Sequence, residues 1–350
     1  MRYKNIGVMI LITCAMIISG CMSSGTSDTP KTTLPISENY FIFDTVVSVR
    51  VYDERMNATH FAEIKKLLEH INSTMNRFEE SSEVSKINQF AGSSAVQVSK
   101  ETFHIIKTAK EYAERSKGKF DPTIGPLVDL WAIGNGGTKA PAPPAIEEAK
   151  KLVDFTKLSL NEAQLSVQLK ESDMTLDLGA IAKGYAADVV TEYLQAQGFN
   201  SAIIDLGGNI VALGSKPDQS PWSIGIQSPE EKRGAHIGTL PIRNQTVVTS
   251  GIYERYFIDN GQVFHHVLDP FTGYPARNEL ASATIITDNS MNADAMSTAV
   301  FVQGLKAGMA FIEATDNAEA IFVTADHKVY VTTGLRGVFK LTNEEYQLAE

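Results

Sequence analysis

Asn260-Gly261 is the feature that most narrows what this chain can fold into. The dipeptide separates Tyr256-Phe257-Ile258 from Val263-Phe264-His265. Asn and Gly accept the positive φ of a tight two-residue turn, so the flanking apolar runs pair as an antiparallel hairpin. The same grammar recurs. Runs rich in β-branched and aromatic residues at 38–53, 201–206, 222–227, 236–249, 252–258, 281–287, 319–324 and 328–333 read as strands, and Gly207-Gly208 breaks the second of them. Strands follow one another directly more often than they alternate with helices. This predicts an α+β fold, a single domain of mainly antiparallel sheet with flanking helices, rather than a doubly wound parallel sheet.

Helical periodicity fills the intervals. Phe61, Ile64, Leu67, Leu68, Ile71 and Met75 recur on one face, as do Phe103, Ile106, Ala109 and Ala113. Ser99 is placed to cap the second helix, and Gly118 lies beyond its end. Further helices are expected at 146–153, from Ile181 to near Gly198, at 290–302 and at 303–314.

The first residues read as a targeting segment. Arg2 and Lys4 form a positive start, and residues 7–18 are an apolar run too short to span a bilayer comfortably. Ile18-Ser19-Gly20-Cys21 resembles the lipobox of bacterial lipoproteins, which implies cleavage before Cys21 and lipid on its thiol; an ordinary signal peptide with a chance Cys, or an uncleaved anchor, is the alternative. The expected organisation is a signal peptide over 1–20, a Ser/Thr/Pro-rich lipid-anchored tether over 21–36 and one domain over 37–350. That places the mature protein in the bacterial cell envelope, outside the cytoplasm and held to a membrane. Cys14 and Cys21 are the chain's two cysteines, so the mature domain has no disulfide framework, cysteine nucleophile or thiolate metal site. A formal net charge of -10 argues against nucleic acid as a partner.

Chemistry concentrates in three segments. In Asp177-Leu-Gly-Ala-Ile-Ala-Lys183-Gly-Tyr-Ala-Ala-Asp188, Lys183 falls in the first turn of a helix, where a cation opposes the helix dipole. An anion is expected there, and exposed N–H groups at that end would suit phosphate. An ion pair from Lys183 to Asp177 accounts for the segment equally well. In Asp294-Ala-Met-Ser297-Thr298, the i, i+3 and i+4 spacing brings one carboxylate and two hydroxyls to one helix face. Such hard oxygens suit Mg²⁺. A helix-start Asp with Ser and Thr bonding backward is the plainer alternative. In His265-His266-Val-Leu268-Asp269-Pro270, a histidine beside a turn could act as a general base, or simply sit at the surface. Neither G-x-G-x-x-G nor the P-loop pattern occurs.

Taken in order, MNRFEESSEVSKIN (75–88), GKFDPTIGPLVDLW (118–131), LDLGAIAKGYAAD (176–188), DLGGNI (205–210), WSIGIQSP (222–229), TSGIYERYF (249–257), HHVLDPFTGYP (265–275) and ADAMSTA (293–299) resemble the ApbE family of FAD:protein FMN transferases. The resemblance implies a T-fold-related α+β architecture. It implies Mg²⁺ held by the Ala180 carbonyl, Asp294 and Thr298, with Ser297 adjacent. It implies FAD contacts at Asp177, Lys183, Leu268, Phe78, Phe43 in the first strand, and the loop Trp131-Ala132-Ile133, with His266 in the place of the family's proposed base. The implied reaction joins FMN to an acceptor threonine and releases AMP. The implied acceptors include subunits of Nqr- and Rnf-type redox complexes. Water in place of threonine would make the chain a Mg²⁺-dependent FAD pyrophosphatase, and a non-catalytic flavin-binding lipoprotein is a further alternative. Family members often read W-G-F-G where this chain has Trp131-Ala-Ile-Gly134, which removes an aromatic from the flavin-side loop. Phe78, where many relatives carry Tyr, lacks only a hydroxyl.

Overall fold

Neighbouring apolar residues in the central strands decide the architecture. Ile203 and Ile204, Val247 and Val248, and Ile285 and Ile286 are adjacent, so within each pair the side chains point to opposite faces of the sheet. All six are buried. A sheet that is apolar on both faces must be covered on both, and here helices cover one and a second, smaller sheet covers the other. The computed structural model describes residues 34–231 and 234–349. The expected signal peptide, Cys21 and all of the tether before Leu34 lie outside the described residues.

The described chain opens with a hairpin, β1 (Ile36–Ile42) and β2 (Thr45–Val51), where a single strand over 38–53 is expected. Phe43 and Asp44 both have positive φ, 57° and 55°, and reverse the chain without the Asn-Gly signal seen later. Phe43 therefore sits in a turn and not in the first strand. β1 begins at Ile36, one residue inside the expected tether. Helices α1 (Ala58–Met75), α2 (Glu83–Gln89), α3 (Lys100–Arg115), α4 (Gly125–Trp131) and α5 (Pro143–Lys150) follow. Ser99 caps α3 by accepting from the Thr102 N–H at 3.2 Å. Short strands β3 (Val96–Gln97), β4 (Leu158–Asn161) and β5 (Ser166–Leu169) form a small sheet beside these helices.

Helix α6 (Ala182–Ala196) feeds β6 (Ser201–Leu206) and β7 (Asn209–Gly214), then β8 (Trp222–Gln227), β9 (His236–Ile242) and β10 (Gln245–Gly251). The hairpin β11 (Tyr256–Asp259) and β12 (Gln262–His265) turns at Asn260-Gly261 as expected, both at positive φ. β13 (Leu280–Thr287), α7 (Ser290–Gln303), α8 (Leu305–Glu313), β14 (Glu319–Thr324), β15 (Lys328–Val331), β16 (Lys340–Leu341) and β17 (Gln347–Leu348) complete the order. The large sheet runs β1-β2-β6-β7-β10-β13-β14-β15-β17, antiparallel at every step except β15 to β17. The run expected as one strand over 236–249 is two. It breaks at Arg243-Asn244, with Asn244 at φ 47°, because β9 belongs to the covering sheet β16-β9-β8 while β10 joins the large one.

The core divides accordingly. Val49, Ile204, Val248 and Ile285 pack with α1, α3, α6 and α7 on the helical side. Ile203, Val247, Ile286 and Ile321 pack with Trp222, Ile224 and Leu240 on the other. A third cluster joins α4 and α5 to the β11–β12 hairpin through Leu127, Trp131, Ile146, Phe264 and Leu268. The site lies where the helical layer and this third cluster meet.

Candidate active site

Helices α6 and α7 approach each other closely at Gly184. A methyl group there would lie 2.2 Å from the Ser290 carbonyl oxygen and 2.7 Å from the Met291 Cα, so glycine is what permits the crossing. One turn further along α6, Asp188 accepts hydrogen bonds from the Ser290 and Met291 N–H groups, both at 2.8 Å. These are orphan donors at the start of α7, and a carboxylate there also suits the helix dipole. Asp294 reciprocates one turn into α7. It is 4% exposed, and its Oδ2 accepts from the Gly184 N–H at 2.9 Å. Each helix thus caps the other.

This answers the dipole argument made for Lys183. The anion at the N-terminus of α6 is Asp294, whose Oδ1 lies 3.8 Å from Lys183 Nζ, while Nζ donates to the Gly179 carbonyl at 3.1 Å. The alternative ion pair from Lys183 to Asp177 does not form. Asp177 pairs with Arg77, at 3.0 Å from Nε to Oδ2, and accepts from the Gly179 N–H at 2.8 Å. The Arg77–Asp177 pair has ion-pair separation without hydrogen-bond alignment at Nε. Arg77 also pairs with Asp129 on α4, and its guanidinium stacks on Phe78 at 4.6 Å. A buried arginine spanning two carboxylates is a residue that the sequence reading did not single out. Its signal was the MNRF motif beside Phe78.

The hydroxyls divide. Ser297 is fully buried and bonded, donating to the Asp294 carbonyl at 2.9 Å and lying 2.9 Å from Ser250 Oγ on β10. Ser250 is also 3.5 Å from Thr298 Oγ1. Thr298 is half-buried and shares a helix face with Asp294, so it is the freer hydroxyl. Among the described residues no donor bonds the Ala180 carbonyl, because the N–H of Gly184 that would reach it in a regular helix goes to Asp294 instead. A carboxylate, a free carbonyl and a hydroxyl are oxygen donors of the kind Mg²⁺ takes alongside substrate phosphates. These residues fit the expected ion. Among the described residues, no group of three or more His, Cys, Asp or Glu could hold a metal, so an acidic or imidazole cage is not the alternative.

The adjacent histidines separate by environment. His265 packs edge-on against Phe301, and its Nε2 bonds the Ala276 carbonyl at 2.9 Å, which makes it part of the core. The His266 N–H donates to the Arg255 carbonyl at 3.0 Å, and its Nδ1 has no partner among the described residues. Burial first, then the positive charges of Arg255, His265 and Lys183, push the His266 pKa down to about 3. His266 is therefore held as an uncharged imidazole, with Lys183 among the charges that act on it.

The residues expected to contact flavin are less uniform. Phe78 is 67% exposed. Phe43 is half-buried against the helical core. Trp131 is packed into the interior. Its indole is 1% exposed, donates from Nε1 to the Gly273 carbonyl at 2.8 Å, and packs on Phe257, Phe264 and Tyr274. It holds the loop rather than presenting a ring. Ala132 ends α4 in the left-handed conformation, φ 47°, and Ile133 and Leu268 are buried in the same cluster. The FDPTIG turn braces the site from behind. Pro122 accepts the Asp177 N–H at 2.8 Å, and the buried Asp121 accepts from the Thr123 N–H, the Thr123 hydroxyl and the Phe155 N–H.

Comparison with known proteins agrees with this geometry. The sequence profile of the ApbE family matches residues 43–322. The chain is 39% identical to an FAD:protein FMN transferase of Klebsiella pneumoniae over 299 residues, 85% of this chain and 92% of that one. It is 34% identical to the FAD:protein FMN transferase of Treponema pallidum, over 95% and 94% of the two chains. Among solved structures, the ApbE protein of Thermotoga maritima superposes with a TM-score of 0.80 at 31% identity, covering 87% of this chain and 99% of that one. The flavin transferase ApbE of Vibrio cholerae does so with a TM-score of 0.76 at 27% identity, with the same coverage. With the family profile matching residues 43–322, and the fold matched over nearly the whole of these relatives, the chain belongs to the ApbE family.

Proposed function

We propose that this protein is an FAD:protein FMN transferase, which moves the FMN part of FAD onto a threonine hydroxyl of an acceptor protein and releases AMP. One observation carries the reading. The buried imidazole of His266, whose Nδ1 has no partner among the described residues, feels the charge of Lys183, which in turn faces Asp294 and donates to the Gly179 carbonyl, next in the chain to Ala180. The names of the relatives above support the same activity.

The chain's own residues supply the parts. Lys183 offers positive charge to the dinucleotide's diphosphate. Asp294, Thr298 and the Ala180 carbonyl would hold Mg²⁺, which when bound neutralises the phosphates and polarises the phosphorus nearer riboflavin. His266 accepts the proton as the threonine oxygen bonds to that phosphorus. The bond from that phosphorus to the oxygen bridging to the adenylate phosphate breaks, and AMP departs with the electron pair. Phe78, Phe43 and the 131–133 loop border the flavin side, where Asp177 is held in place by Arg77.

Localisation and partners follow from the N-terminal pattern. Cys21 would carry lipid and hold the domain outside the cytoplasm. Among the described residues no helix is long and apolar enough to cross a membrane. An Nqr- or Rnf-type subunit exposing its threonine on that side is the matching acceptor. The test is to incubate the protein with FAD, Mg²⁺ and such a subunit, then resolve the products on a denaturing gel under ultraviolet light. A fluorescent acceptor band with one AMP per flavin supports transfer. Free FMN and AMP with a dark acceptor would make the enzyme a pyrophosphatase instead.

A further inference from the structure

The motif TSGIYERYF contributes to the fold through β10 and β11, and its arginine, so far described only as a neighbour of His266, has a free side chain. Arg255 touches two separate pieces of the site. Its carbonyl accepts the His266 N–H at 3.0 Å. Its aliphatic stem lies on the loop that follows Trp131, since a methyl group at Gly134 (φ 83°) would come within 3.0 Å of Arg255 Cδ. Its charge is felt at the His266 ring, second only to burial among the causes that keep that ring neutral.

Three other basic groups of the site are already balanced. Arg77 pairs with Asp129 and Asp177, Lys119 with Asp269, and Lys183 with Asp294. Arg255 is exposed, and no carboxylate of the described residues lies within ion-pair distance of it. An uncompensated guanidinium, tethered at its stem and its backbone beside a second cation, makes a positive field at a mouth whose substrate is an anion. Guanidinium geometry suits two phosphate oxygens at once, which an ammonium cannot match.

We propose that Arg255 binds the diphosphate bridge of FAD, opposite Lys183, and so fixes the phosphorus beside His266. The inference rests on the functional reading above and adds a binding residue to it.

The test compares two probes, each holding half of the substrate's chemistry. ADP carries the diphosphate without flavin, and riboflavin carries the ring without phosphate. Both are titrated by calorimetry into the whole protein with Mg²⁺ present, for wild type, Arg255→Ala and Arg255→Lys. ADP affinity should fall about tenfold or more in Arg255→Ala and recover in part in Arg255→Lys, the span expected for one charge-assisted contact. Riboflavin affinity should stay the same in all three. Because the side chain is exposed, Tm should hardly move. Unchanged ADP affinity in Arg255→Ala would overturn the proposal, and so would an equal loss for ADP and riboflavin, which is what a mere distortion of the 131–134 loop would cause. Acceptor labelling by the wild type is scored separately. A wild type that labels nothing while Arg255→Ala still loses ADP would sink the transferase reading and leave Arg255 as a diphosphate ligand.

Discussion

The α6–α7 junction and the α4–hairpin cluster both border the proposed site but are built from opposite materials. The junction is polar and interlocked. Gly184, Asp188, Ser290 and Asp294 satisfy one another across two helices at hydrogen-bond distances of 2.8 to 2.9 Å. The cluster is aromatic, with Trp131, Phe257, Phe264 and Tyr274 packed around one another. The difference teaches where each kind of damage should appear. Removing a group from the junction leaves a buried donor or charge unpaired, which is felt in chemistry. Removing one from the cluster leaves a cavity, which is felt in stability.

Substitutions that sharpen this contrast can be ranked. Asp294→Ala should have the largest effect, a loss of transfer of about a thousandfold or more. It removes the proposed carboxylate ligand and leaves Lys183 uncompensated. Single-turnover acceptor labelling at saturating FAD measures it. His266→Gln should cost about a hundred- to ten-thousandfold in kcat with FAD binding retained, the range for a lost general base. Trp131→Ala should reverse the pattern. It should lower stability by about 3–5 kcal/mol in chemical denaturation, and any protein still folded should keep its metal dependence. Asp188→Asn should be smaller again. It weakens the clamp on the start of α7, so the Mg²⁺ concentration for half-maximal activity should rise several-fold while excess Mg²⁺ restores kcat. A fall in Tm with no change in Mg²⁺ requirement would show Asp188 to be a structural cap alone.

Acid pH distinguishes the two kinds of burial by sign. His266 has a folded pKa pushed below its ordinary 6.5 to about 3, so the unfolded chain takes up its proton first. Its contribution is present above pH 6.5 and is lost as pH falls towards 3. Asp188 and Asp121 behave in the opposite way. Burial raises each from 3.8 to about 6, so their contribution is full below pH 3.8 and is lost as pH rises through 6. Denaturation of wild type and His266→Gln between pH 7 and pH 4 should show the wild type losing ground to the variant as pH falls. A constant difference would mean that His266 is not kept neutral by its surroundings.

What could be read beforehand follows the same division. Local signals were legible. Asn260-Gly261 made its hairpin, Ser99 capped α3, and the 3.6-residue spacing of Asp294, Ser297 and Thr298 put them on one face. Long-range polar partners were not. Nothing near Lys183 in the chain announces that its counter-charge is Asp294, or that Asp177 belongs to Arg77, since both pairings depend on how helices cross. The turn at Phe43-Asp44 and the break at Arg243-Asn244 were also hidden, because the first is imposed by the β1–β2 pairing and the second by the passage from one sheet to the other. Trp131 shows the limit of a residue type as a clue. An indole in a motif can be a ligand surface or a pillar, and burial decides.

The central claim is that Asp294, Thr298 and the Ala180 carbonyl share one divalent ion that meets the diphosphate of FAD. Anomalous diffraction from crystals grown with FAD and Mn²⁺, a detectable substitute for Mg²⁺, tests it most directly. The account predicts one peak within about 2.1–2.3 Å of an Asp294 carboxylate oxygen and the Ala180 carbonyl, in contact with a phosphate oxygen. A peak on other residues, or bound FAD whose phosphates sit away from the α6–α7 junction, would contradict it.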